Sequence, residues 1–175
     1  NGRVCNNEIS SHDLYLKWNT DLKIGKGAKE ITGYTETKFR QRCIPEEEAF
    51  NTIYDQVEDC DYLVGHNVLG FDIFLLRNWY RKHGKSYGHL PYKVIDTLSV
   101  ARSISLDYPY KSNEVSMLDF QMKMLSIRKK GMRTSLGALG KSNGIEHDYA
   151  KNIKLDITTN GTKFNKIFLE KISKF

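Results

Sequence analysis

"DYLVGHNVLGFDIFLL", residues 61–76, carries the decision about the fold. Its opening, Tyr62-Leu63-Val64, is a short apolar run with a β-branched residue and reads as a strand. The residues that follow, GFDIFLLRNWYRKHGK (70–85), read as a helix. Phe71, Phe74, Leu75 and Trp79 recur at helical spacing as its expected buried stripe, Arg81 and Lys82 gather in the last turn, and Gly84 ends it. Asp72 does not suit such a run, because an unpaired carboxylate in apolar surroundings costs several kcal/mol.

Working outward, the same alternation returns. "PEEEAFNTIYDQVE" (45–58) opens with a proline and three glutamates, which suit the positive end of a helix, and Ala49, Ile53 and Val57 mark its buried face. "YKVIDTLSVARSI" (92–104) reads as a strand running into a helix. Strand, helix, strand, helix predicts a layered α/β architecture. Residues 105–133 hold a short helix (Leu118, Met122, Leu125) between loop and basic charge, and read as an insertion. Residues 1–18 read as a hairpin in which Leu14, Leu16 and Trp18 alternate with other residues, and 21–35 as a loop passing into a short helix and turn. "TSLGALGKSNGI" (134–145) predicts a short helix, and 146–175 one or two closing helices.

The chain of 175 residues, 39% apolar with a mean hydropathy of −0.54, suits one globular domain, residues 1–175, with a sizeable core. No apolar run is long enough for a membrane span and no secretory signal opens the chain, so an intracellular setting is expected, in cytoplasm, nucleus or nucleoid. Cys5, Cys43 and Cys60 lack metal-knuckle spacing and read as reduced thiols. The formal charge is +6 and uneven: Glu46, Glu47 and Glu48 crowd one stretch, and Arg128, Lys129, Lys130, Arg133 and Lys141 another. The basic stretch reads either as a solvated face or as a wall for nucleic acid. Abundant lysine and asparagine hint at an AT-rich genome, viral or protist.

At the first turn of a helix that leaves a strand, Asp72 projects where open α/β sheets hold their ligands, and the helix N-terminus favours its charge. It reads as a metal-binding carboxylate or as a cap on the helix backbone. "GHNVLGFD", "VIDTLSVAR", "SLGAL" and "GIEHD", in this order, resemble the DnaQ-like (DEDD) family of 3′–5′ exonucleases, and "ITGYT" (31–35) resembles that family's turn after its third strand. The resemblance spans nearly the whole chain from residue 12. It implies an RNase H-like mixed sheet flanked by helices, and two divalent ions, Mg²⁺ or Mn²⁺, that clamp the attacking water and the leaving oxygen of a phosphodiester. Asp72 matches a metal-binding and catalytic aspartate; His66, Asn67 and Phe71 would line the pocket for the terminal nucleotide of a single-stranded 3′ end. Asp96 matches a position that does not ligate metal and reads as structural. Arg128, Lys129 and Lys130 would add nucleic-acid contacts.

The remaining motifs depart from the family. Asp156 falls at the last metal-binding aspartate, but Lys151 stands where a histidine should deprotonate water, and an ordinary lysine is protonated at neutral pH. His147 is the candidate base nearby, although this position need not catalyse in the family. The first-strand Asp-x-Glu pair is absent. Asn6 and Glu8 of "VCNNEIS" could imitate it, yet their place fits the later hairpin better. Losing that central strand would strand interior N–H and C=O groups at about 1–3 kcal/mol each. The chain is therefore expected to be part of a longer polypeptide, or another segment fills the slot. Three functions stay open: a 3′–5′ exonuclease, for instance the proofreading module of a polymerase in replication or repair; a catalytically degenerate DnaQ-fold module that binds nucleic acid or scaffolds a larger complex; and an α/β interaction domain.

Overall fold

The computed structural model describes residues 14–17 and 23–144. The chain divides into two compact units, one built on the described residues up to Thr52 and from Gly140, the other on Ile53–Leu139, whereas the sequence reads as one domain. Both are mixtures of helix and short strand, which bears out the α/β class.

In the first unit β1 (Tyr15–Leu16) pairs in parallel with β2 (Cys43–Ile44), Tyr15 opposite Cys43 and Leu16 opposite Ile44. The strand foreseen near Leu16 is present, but its partner among the described residues is parallel, not the second arm of a hairpin. Two helices lie between these strands in the chain, α1 (Lys26–Thr32) and α2 (Glu36–Arg42). Gly33 ends α1 in the left-handed conformation, φ 63°, and the Thr35 hydroxyl accepts the Lys38 amide at 3.3 Å to open α2. Next comes α3 (Glu46–Asp59), whose Ala49, Phe50 and Val57 are buried and whose three leading glutamates sit in its first turn as the sequence foresees.

The second unit is built on β3 (Leu63–Gly65) and β4 (Val94–Asp96), parallel neighbours with Leu63 opposite Val94, Val64 opposite Ile95 and Gly65 opposite Asp96. Each strand leads into a helix, β3 through a tight loop into α4 (Asp72–Lys82) and β4 directly into α5 (Thr97–Ser105). A polar knot ties the end of α3 to its surroundings. The buried Tyr80 hydroxyl donates to Glu58 Oε1 at 2.9 Å, His89 Nε2 meets the same oxygen at 3.0 Å, and Lys93 Nζ donates to the Val57 and Glu58 carbonyls. Burial, then the Glu58 bond, pushes the Tyr80 phenol up from its ordinary pKa.

The stripe foreseen for α4 is rotated. Phe71, Phe74 and Leu75 are 60%, 57% and 59% exposed, while Ile73 and Tyr80 are buried. Helix α6 (Met117–Ser126) arises within the stretch read as an insertion, yet it packs on α5 and buries Phe120, Gln121 and Met124. Helix α7 (Leu136–Ser142) follows the basic loop. Among the described residues no helix is long and apolar enough to cross a membrane.

Candidate functional site

Among the described residues the buried acid is Asp96, not Asp72. Asp96 closes β4 with no exposed surface, and its carboxylate is spent on backbone amides. Oδ1 accepts Asn67 N–H and Leu98 N–H, and Oδ2 accepts Leu69 N–H, each at 2.9 Å. The Leu98 bond caps α5, while the other two reach across to the loop that leaves β3. Around Asp96 the backbone is held in turn by Gln121, whose Oε1 accepts the Asp96 amide at 2.6 Å and whose Nε2 donates to the Val94 carbonyl at 2.9 Å. Ser99 Oγ donates to the Asp96 carbonyl at 2.7 Å. A buried carboxylate is tolerable when both its oxygens accept such bonds, so the structural reading of Asp96 acquires its reason.

The clamped loop explains the spelling of "GHNVLGFD". Asn67 adopts φ 65°, a left-handed conformation that asparagine tolerates better than most residues. Its side chain lies against Gly70, where a Cβ would collide with Asn67 Oδ1, so only glycine fits there without a shift. The Gly70, Phe71 and Ile73 amides then turn back onto the Asn67 and Val68 carbonyls and start α4. His66, just before the loop, meets Thr97 Oγ1 through Nδ1 at 3.1 Å and makes a further bond to the Thr134 backbone. Its pKa lies below the ordinary value because burial disfavours the cation; Arg102 adds to the shift, and Asp96 and the Thr134 bond oppose it.

Asp72 emerges from this frame as the first residue of α4. The site brings together His66, Asn67, Phe71 and Asp72, all on one loop and helix start at the carboxyl end of β3. Asp72 is exposed, which removes the burial cost that its apolar neighbours suggest. It does not cap the helix either: Phe71 holds the cap position and no side chain there accepts a backbone amide. Among the described residues Asp72 has no hydrogen-bond partner, and no group of three or more His, Cys, Asp or Glu side chains is placed to hold a metal ion. One carboxylate alone does not make a metal centre. Asp156, His147, Lys151, Asn6 and Glu8 lie outside the described residues.

Arg128, Lys129 and Lys130 are exposed on the loop between α6 and α7, and none forms an ion pair with a described residue. A cavity of about 250 Å³ is lined by Asp107, Tyr108, Lys111, Glu114 and Phe120 among others, and none of the candidate residues borders it. Sequence reasoning missed Gln121, Thr97 and Thr134 as parts of the frame; nothing in their local pattern marks bonds to partners so far along the chain, 25 and 27 residues for Gln121 and 31 for Thr97, save that a glutamine facing a helix core asks for a polar partner. No family model, curated protein or solved structure matches the chain.

Proposed function

We propose that this chain is a DnaQ-like 3′–5′ exonuclease domain that acts on the 3′ end of single-stranded nucleic acid, with Asp72 as a carboxylate of its catalytic site. The observation that carries the reading is the carboxylate of Asp72 itself, left free of structural duty and open to solvent at the carboxyl end of β3. Two backbone amides donating to Asp96, those of Asn67 and Leu69, fix the loop that presents it, and the N-terminus of α4 supports its charge. Mg²⁺ or Mn²⁺ belongs to this proposal as the expected cofactor. The described donor set is too small to hold a metal ion by itself. His66, Asn67 and Phe71 would flank the terminal nucleotide, with Phe71 exposed enough to stack on a base.

A second reading, a nucleic-acid-binding module without catalysis, is favoured by the isolation of Asp72 among the described residues and by Lys151 in place of a histidine. One experiment separates them. A 3′-labelled oligonucleotide is incubated with Mn²⁺ and either the wild-type protein or Asp72→Ala. Release of mononucleotides by the wild type alone supports the exonuclease. Equal release by both removes Asp72 from the chemistry, and retention of the oligonucleotide by both with no release supports the binding module.

A further inference from the structure

Arg102 lies on the face of α5 that packs on α6. This arginine is 8% exposed, and its guanidinium is only partly used. Nη1 donates to the Met124 carbonyl at 3.2 Å and to the Leu125 carbonyl at 2.6 Å, closing the negative end of α6. Nε is buried and has no partner, and Nη2 bonds to none of the described residues. Nε and Nη2 form the side of a guanidinium that takes two oxygens of one anion in parallel. No carboxylate answers it: the Asp96 acid nearby is committed to three backbone amides. A second guanidinium converges on the same spot, because Arg128 Nη1 donates to the Leu125 carbonyl at 3.2 Å. Two cations therefore share one carbonyl oxygen, and burial and then Arg128 act against the Arg102 charge. The loop that follows, residues 127–134, adds exposed Lys129, Lys130 and Arg133.

We propose that Arg102 and Arg128 form an oxyanion site at the carboxyl end of α6, in which the Nε and Nη2 edge of Arg102 holds two oxygens of a phosphate group and Arg128 turns onto a third. Phosphate suits the place better than a carboxylate, since it offers oxygens to both guanidiniums at once and carries the larger charge. The group comes either from the backbone of a bound nucleic acid or from free phosphate. The site does not depend on catalysis at Asp72.

Thermal unfolding of the full chain decides it, in inorganic phosphate and in chloride of matched ionic strength, and separately with an unphosphorylated thymidine oligonucleotide. Phosphate or the oligonucleotide raises the midpoint of the wild type. Arg102→Lys keeps a charge near Leu125 but lacks the planar edge, and loses the shift; Arg128→Ala, a change at an exposed side chain, weakens binding by about tenfold. Asp72→Ala leaves the shift with inorganic phosphate unchanged. A shift with the oligonucleotide alone assigns the site to nucleic-acid backbone, and one with inorganic phosphate alone assigns it to the free ion. The proposal is overturned by equal shifts in the wild type and both arginine variants, or by no shift in the wild type. Should Arg102→Lys fail to fold, undiminished binding by Arg128→Ala overturns it as well.

Discussion

Changing Asp96 to asparagine removes the charge from the clamp while keeping its shape, and the cost follows from the three bonds. The retained amide oxygen keeps two backbone N–H groups, those of Asn67 and Leu98, at the position of Oδ1. Each bond falls from the charge-assisted to the neutral range, a loss of about 1 kcal/mol apiece. The third N–H, from Leu69, then faces a donor and is left unmet in a buried place, at about 2 kcal/mol more. The sum is about 4 kcal/mol, large beside the roughly 5–15 kcal/mol that holds a domain together. With a urea slope of about 2 kcal/mol per molar, the midpoint drops by about 2 M, read by circular dichroism with the slope unchanged. Asp72→Asn, at an exposed carboxylate without partners, stays within about 0.5 kcal/mol of the wild type. A loss under about 1 kcal/mol for Asp96→Asn, or equal losses for both, would refute the assignment of the buried clamp to Asp96.

Two further outcomes are expected. His66 has a folded pKa below its unfolded value near 6.5, so the neutral ring is the one the fold prefers; stability is full above that pH and falls as the pH drops through it toward the folded value. The slope between neutral and mildly acidic pH should flatten in His66→Gln, and an identical slope in the variant would refute it. Gly70→Ala puts a methyl on the Asn67 side chain and should cost about 1–3 kcal/mol, most of it recovered in the Asn67→Gly background, where φ 65° is tolerated and the obstacle is gone. Urea midpoints of the four combinations give the coupling, and strictly additive losses would contradict the contact.

Several elements were legible because their signals are local. Pro45 and the three glutamates announce α3, and "YKVIDTLSVARSI" announces β4 running into α5. Helix α4 was legible in extent but not in phase. "FDIFLL" is apolar at nearly every step, so Phe71-Phe74-Leu75 and Ile73-Tyr80 both satisfy helical spacing, and only the packing chooses the latter. The same ambiguity made Asp72 look buried. What a single pattern cannot carry is the set of bonds that Asp96 accepts from Asn67 and Leu69, or the buried edge of Arg102, since each depends on which elements the chain brings side by side. Of the acids and bases foreseen for catalysis, Asp72 alone falls among the described residues.

The clamp also orders events in time. Residues 61–85 contain the whole motif, but the atoms that shape its loop arrive from Asp96, 27 residues beyond Leu69. A synthetic peptide of that stretch would own the letters without the conformation, and its acid would wander. During refolding, amides of Asn67 and Leu69 should therefore gain protection from hydrogen exchange only when β4 docks on β3, as a late and shared step rather than a local one.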